Sequence, residues 1–291
     1  MKTIAVYHNK GGVGKTTTVV HLASALAQKG FRVLIVDLDS QANTTYATGL
    51  AKFVDEEHDD LKDRNVYHVL ASKTYPITDS IRSATYYKPP ISVIPAHIMI
   101  MGKERELMDM EPAKRRLRLK LNDVRDAYDF VLIDTPPSLN IYAKIAMITA
   151  DYLIIPSDLK PFANQGLLNV REFIAQIDET RENFAIPPLK VLGVLPCKVS
   201  TNASYLKYTF PKRRQIVTEV FGFPVLESAI MERSILTKVT EHETTIGNLD
   251  IPDPLSLFDY QPANTGDGEA LGKAIKEFNL LADEIIHLTN E

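Results

Sequence analysis

The run Lys10-Gly11-Gly12-Val13-Gly14-Lys15-Thr16-Thr17 follows directly on the apolar residues Ile4-Ala5-Val6-Tyr7. This order commits the chain to a strand, a glycine-rich turn and a helix. Without Cβ atoms in the way, the turn can aim backbone N–H groups at an oxyanion, and the helix that follows adds its positive N-terminal end. In such a phosphate-binding loop Lys15 reaches the β- and γ-phosphates and Thr16 ligates Mg²⁺. The candidate nucleotide-binding residues are therefore Lys10, Gly11, Gly12, Val13, Gly14, Lys15, Thr16 and Thr17. The usual pattern places a glycine five residues before Gly14, where this chain has Asn9, and an additional lysine, Lys10, opens the turn.

Apolar, β-rich runs alternate with helical patterns: Ile4 to Tyr7, Val33 to Val36, Ile91 to Pro95, Phe130 to Ile133, Tyr152 to Ile155 and Val191 to Leu195. Several are apolar at every position, as strands covered by helices on both faces must be. The expectation is an α/β fold, a doubly wound and mainly parallel sheet of the P-loop NTPase type. Helices are predicted over 16–29, 113–127, 163–180, 204–221 and 269–288, where apolar residues recur at three- and four-residue spacing. The 291 residues, 45 % of them apolar, suit a single domain over 1–291, with surface insertions at 54–65 and 247–268. The first insertion carries the acidic run Asp55, Glu56, Glu57, Asp59 and Asp60, a solvated face or a partner-docking segment.

No stretch approaches the roughly 18 consecutive apolar residues of a membrane span. The N-terminus enters a strand at once, which leaves no room for a signal peptide, so a cytoplasmic protein is expected. The single cysteine, Cys197, excludes an internal disulfide framework and reads as a buried small hydrophobe. A net charge of −4 gives no global attraction to nucleic acid, so any such binding needs a local basic patch.

Two further strands end in acids. Val36-Asp37-Leu38-Asp39 places two carboxylates at the carboxyl edge beside the phosphate loop, and Leu132-Ile133-Asp134 closes a third strand the same way. An acid at the end of an apolar strand holds Mg²⁺ through its water shell in P-loop ATPases, and Mg²⁺ needs few carboxylates. Each Asp alone could simply cap a turn. Strand, loop, helix and acid-terminated strands in this order make the combination specific.

Lys10 with Lys15, the segment Asp37-Leu38-Asp39-Ser40-Gln41-Ala42-Asn43 and the segment Asp134-Thr135-Pro136-Pro137-Ser138 resemble the ParA/MinD family of deviant Walker ATPases, and within it the ParA branch. Val93 to Ala96, Glu104 to Leu117 and Asp151 to Pro156 fall where that family has comparable sequence, so the resemblance spans residues 1–240. It implies a homodimer closed face to face around two ATP molecules. Lys10 matches the signature lysine that crosses to the partner's phosphates, much as an arginine finger does. Asp39 matches the residue that orients the attacking water and Asp134 the outer-shell magnesium acid. The implied catalytic set is Lys10, Lys15 and Asp39, the metal set Thr16, Asp39 and Asp134, and the cofactors ATP and Mg²⁺. Pro196, with Cys197, lies at the sheet edge where the adenine would sit.

The resemblance further implies non-specific binding of double-stranded DNA by the ATP dimer, and release when a ParB-like or other cargo adaptor stimulates hydrolysis. Between Leu189 and Thr240 lie eight basic and three acidic residues, a local +5 in an acidic chain. Its candidate DNA contacts are Lys207, Lys212, Arg213, Arg214, Arg233 and Lys238, with Lys212 to Arg214 at the centre. A second cluster, Lys114, Arg115, Arg116, Arg118 and Lys120, reads as a surface helix with snorkelling cations.

Rival readings are weaker. Membrane attachment would need a basic polar face on the last helix, but Lys273 and Lys276 are balanced there by Glu277, Asp283 and Glu284. Iron–sulfur relatives need more cysteines. Tyrosine kinases of similar loop carry a C-terminal tyrosine cluster, and the last tyrosine here is Tyr260. An ATP-dependent ligase of the dethiobiotin synthetase type is the remaining enzyme-class rival. Within the leading reading the expected role is plasmid or chromosome partition on the nucleoid, with the positioning of a protein organelle or cluster as the alternative.

Overall fold

The computed structural model describes residues 1–50, 59–85, 87–246 and 249–290. β1 (Lys2–Val6) leads through the glycine-rich turn into α1 (Lys15–Gln28) and returns as β2 (Val33–Asp37). The short helices α2 (Asn43–Ala47) and α3 (Val66–Ala71) precede β3 (Arg82–Ala84) and β4 (Ile91–Ile94). Then come α4 (Glu104–Asp109), α5 (Ala113–Leu121), β5 (Phe130–Asp134), α6 (Ile141–Thr149), β6 (Tyr152–Ser157), α7 (Pro161–Asn183) and β7 (Lys190–Pro196). A π-helical turn at Tyr205–Thr209 runs into α8 (Phe210–Glu219), followed by α9 (Ser234–Thr240), a hairpin of β8 (Glu243–Ile246) and β9 (Leu249–Pro252), and α10 (Thr265–Leu288).

The seven-stranded sheet has the order β3-β4-β2-β5-β1-β6-β7, parallel except for β3 at the edge. β2 and β5 are buried at every residue, and β1 at every residue but its first. Helices cover both faces. α3, α5, α6 and α7 pack one core, while α1, α9 and α10 pack the other. The last helix buries an apolar stripe: Leu271, Ala274, Phe278, Leu281 and Ile285 are buried, and Ile275 packs half-buried beside them.

The 247–268 segment is not one loop. β9 occupies Leu249–Pro252, and α10 begins at Thr265, where the Asn264 side chain accepts the Asp267 N–H at 2.9 Å. Of the acidic insertion, Asp55, Glu56 and Glu57 lie outside the described residues. Asp59 is no solvated acid: its carboxylate is 2.7 Å from His97 Nε2, and its side chain is only 10 % exposed. Asp60 lies 3.7 Å from Arg82.

The basic cluster on α5 also departs from a snorkelling face. Lys120 is buried and its Nζ donates to the carbonyls of Ser72 and Tyr75 at 2.7 and 2.5 Å. Arg118 donates to the Thr149 carbonyl and pairs with Asp151, and Arg116 donates to the Leu70 carbonyl. These cations close the ends of helices whose last carbonyls lack intrahelical partners. Arg181 on α7 does the same from inside the core. Its guanidinium, 1 % exposed, donates to the carbonyls of Met147, Ile148, Ala150 and Pro187. Burial lowers its pKa to about 10, well short of discharging it at neutral pH.

Arg181→Met should therefore leave the C-terminal end of α6 unsatisfied and lower the unfolding free energy by about 3 kcal/mol. A urea titration followed by circular dichroism reads this as a lower midpoint; an unchanged midpoint would mean that water replaces the guanidinium.

Candidate nucleotide site

β1 lies inside the sheet between β5 and β6 and delivers the glycine-rich turn to the carboxyl edge, the side on which open α/β sheets bind ligands. Gly12 and Gly14 adopt φ of 72° and 98°, values that L side chains rarely take. Gly14 caps α1 without any side-chain hydrogen bond, and the first turn carries no acid, so its N–H groups are available to an anion. Thr18 fastens the turn by donating its N–H and hydroxyl to the Gly14 carbonyl at 2.9 and 2.7 Å. Lys15 is only 7 % exposed, and its Nζ donates to the Lys10 carbonyl at 3.3 Å. Burial lowers the pKa of this lysine, while the negative charges of Asp134 and Asp39 act to raise it.

The acid-terminated strands meet at this edge. Asp37 and Asp134 are register partners on β2 and β5, and Val6 of β1 pairs with Asp134 from the other side. Both side chains are wholly buried. Asp37 accepts from the Thr45 N–H and hydroxyl at 2.9 and 2.8 Å and from the Asp39 N–H at 3.0 Å. Asp134 Oδ2 accepts from the hydroxyls of Thr16 and Thr44 at 2.7 and 2.6 Å. Desolvation, and then Asp134, push the Asp37 pKa far up. Desolvation also raises Asp134, against the pull of Thr44, Thr16 and Lys15. Asp39 stands 6 % exposed, and its Oδ1 accepts the Gln41 N–H at 3.0 Å.

The structure thus brings Lys15, Thr16, Asp39 and Asp134 to one place. Two buried carboxylates against one buried ammonium form a locus of excess negative charge, which suits a divalent cation. Among the described residues no three His, Cys, Asp or Glu side chains form a chelating group. That donor set fits Mg²⁺, which takes most of its ligands from water and phosphates, and it does not fit zinc. Thr16 would hold the ion directly and Asp134 through water.

Lys10 is at the mouth of the site, its side chain 24 % exposed, with Nζ 3.1 Å from Asp158 Oδ2 and 5.2 Å from the Phe162 ring. Its N–H donates to His8 Nδ1 at 3.0 Å. Burial first, then Lys15, lower the His8 pKa to about 4, so the ring is neutral and free to accept that bond. Helix α7 passes so near this turn that a Cβ on Gly166 would stand 2.7 Å from both Asn9 Oδ1 and His8 Cε1. Sequence reasoning singled out none of His8, Asp158 or Gly166; their contacts cross from β1 to the start of α7 and leave no local signal.

On the other side of the loop a cavity of about 260 Å³ opens between Gly14, Thr17, Cys197, Lys198, Met231 and Arg233. Pro196 ends β7, and the two residues after it line this cavity. The Cys197 thiol is buried and its pKa is pushed up to about 12, so it packs as a small hydrophobe. Arg233, read as a DNA contact, instead lines the cavity and pairs with Glu277 of α10 at 2.6 Å. Glu277 also accepts the Met231 N–H, and Glu284 accepts those of Glu227 and Ser228. The acids that balance the last helix thereby fasten the 227–233 segment.

The basic segment divides. Val217 of α8 packs in one core and Ile235 and Val239 of α9 in the other, on the opposite face of the sheet. Lys238 on α9 is paired with Asp267 at 2.9 Å. Arg213 donates to the Leu159 carbonyl at 3.2 Å and covers Tyr205, while Arg214 lies 3.3 Å from Glu227. Lys207 and Lys212 remain exposed on one flank with Tyr208, which is 58 % exposed.

A doubly wound sheet in which an interior strand feeds a glycine-rich turn and a buried lysine, beside strands that end in acids, defines a P-loop ATPase. Residues 1–186 match the AAA domain family. The chromosome-partitioning ATPase Soj of Treponema pallidum is 30 % identical over 274 residues, 94 % of this chain and 96 % of that protein. Among solved structures, cobyrinic acid a,c-diamide synthase from Mycobacterium smegmatis, with bound ATP analogue and magnesium, aligns with a TM-score of 0.69 and 27 % identity over 80 % of this chain and 88 % of that one. The ATP complex of Cyanothece McdA shares the fold, with a TM-score of 0.70 and 19 % identity over 96 % of both chains. The chain belongs to the ParA/MinD/Soj family of deviant Walker A P-loop ATPases and within it resembles the ParA-type partition proteins.

Asp134→Asn should raise the thermal midpoint of the nucleotide-free protein, because it removes one of two facing buried carboxylates, and lower Mg²⁺-dependent ATP hydrolysis by about 10- to 100-fold. Calorimetry and a phosphate-release assay check the two effects; a lower midpoint would show that the pair is not repulsive.

Proposed function

We propose that this chain is a ParA-like positioning ATPase working as one domain: it dimerises on Mg·ATP, binds double-stranded DNA without sequence preference, and is released when an adaptor protein stimulates hydrolysis. ATP and Mg²⁺ are its cofactors. Lys15 and the N–H groups of α1 hold the phosphates, Thr16 and Asp134 serve the metal, and Asp39 orients the attacking water. The cavity beside Cys197 and Lys198 takes the base. The observation that carries the reading is the second lysine. Lys15 is already committed beneath the loop, whereas Lys10 stands at its open mouth, where a cation can serve a nucleotide bound by a facing copy.

DNA contact is assigned to Lys207 and Lys212, the two exposed cations of the α8 flank, with Tyr208 between them on the surface. Arg233 and Lys238, tied to acids on the opposite side, are left out of that surface. Contacts of this kind neutralise phosphates and read no base edges, so the affinity must fall steeply with salt. The cargo follows the partition relatives: a plasmid or chromosome, carried over the nucleoid. Likeness to a diamide synthase supports a second reading, an ATP-dependent ligase acting on a small carboxylic acid.

Random-sequence duplex DNA, titrated with Mg·ATP, with Mg·ADP and without nucleotide across a salt series, separates the two. Binding is expected with Mg·ATP alone, and Lys207→Glu with Lys212→Glu should weaken it at least about tenfold and flatten its salt dependence. An ATP-loaded protein with no DNA affinity at low salt would instead favour the ligase.

A further inference from the structure

The contact between Lys10 and Asp158 lies within one chain. Asp158 Oδ2 is 3.1 Å from Lys10 Nζ, and the carboxylate side chain is only 11 % exposed. The exposed Phe162 ring faces the same ammonium at 5.2 Å, so the lysine is held from two sides.

The carboxylate is itself fixed by the backbone that carries it. Leu159, the next residue, is buried and adopts φ of 52°, a left-handed conformation that a branched side chain enters only when its surroundings impose it. Three hydrogen bonds impose it here. The Leu159 N–H donates to Ser157 Oγ at 3.1 Å, the Lys160 N–H donates to Asp158 Oδ1 at 3.1 Å, and Arg213 of α8 donates to the Leu159 carbonyl at 3.2 Å. Most surface ion pairs contribute little because both side chains must be immobilised to form them. At this site one partner is immobilised in advance.

We propose that Asp158 is a positioning residue for Lys10: it holds the lysine within its own subunit while no nucleotide dimer exists, and must give it up when Lys10 turns to phosphate. This rests on the ATP-dimer reading above. An ammonium engaged by a carboxylate at 3.1 Å cannot give its full charge to a second anion, and the incoming phosphates repel that carboxylate. The held conformer therefore subtracts from the competent population, and apparent affinity for the dimer falls by that fraction. Asp158 sets a threshold on dimerisation, against closure at low nucleotide concentration.

Asp158→Asn removes the charge but keeps an oxygen to accept the Lys160 N–H, so the turn is retained. Light scattering of wild type, Asp158→Asn, Lys10→Ala and the double variant, titrated with Mg·ATP, measures the threshold. Asp158→Asn is expected to dimerise at up to about tenfold lower ATP concentration, and in the Lys10→Ala background the same change should have no effect. An unchanged or higher threshold, or an equal gain without Lys10, would overturn the proposal. A second measurement needs neither nucleotide nor dimer. In the nucleotide-free protein, acetic anhydride labelling read by mass spectrometry should acetylate Lys10 several-fold faster in Asp158→Asn than in wild type, with Lys212 unchanged as an internal reference. Equal Lys10 rates would refute the hold. Absence of any Mg·ATP dimer in wild type, with the labelling difference intact, would sink the dimer reading alone and leave the contact established.

Discussion

Two carboxylates buried side by side at the ends of neighbouring strands govern this structure. Asp37 and Asp134 are register partners, both wholly enclosed, and each has its pKa raised by that enclosure. Charges in such a place are tolerated only with compensation, and the surrounding chain supplies it in layers. Thr45 and the Asp39 N–H serve Asp37, while Thr16 and Thr44 serve Asp134. Lys15 brings a buried ammonium near them, and it comes from the first turn of α1. The hydroxyl of Thr16 that satisfies Asp134 is the same one a magnesium ion would use. Ion and nucleotide thus complete a charge balance that the fold leaves unfinished.

Cations elsewhere do the reverse work, meeting backbone carbonyls rather than ligands. Arg181, Arg118, Arg116 and Lys120 close the open ends of helices on one face of the sheet. On the other face Glu277 and Glu284 of α10 accept backbone N–H groups from the segment that walls the cavity. The C-terminal helix is in this way tied to the cavity beside the phosphate loop, although it lies far from that loop in sequence.

The sheet was legible because its strands are apolar throughout and punctuated by turns. The six predicted runs all appear, most within a residue or two of their ends. α6 is not legible in the sequence because nearly all of it is buried, from Ile141 to Thr149, so it shows no polar face from which a helical period can be read. β3 is three residues long and gives no pattern. The phosphate loop and the acid-terminated strands were legible since backbone geometry forces glycine and the sheet edge collects the acids. Charge roles were not: α5 reads as a solvated basic helix, yet Lys120 is buried against carbonyls. Arg233 and Lys238 read as one patch with Lys212, although the chain crosses to the other face between them. Net charge along a sequence carries no information about which partner each side chain finds.

The proposed ATP dimer requires that a finished charge balance at this edge join two copies of the chain. Sedimentation velocity of Asp39→Ala tests it, with ATP and Mg²⁺, with ATP and a chelator, and with Mg·ADP. A dimer with Mg·ATP alone is the predicted result. A monomer under all three conditions would contradict the account.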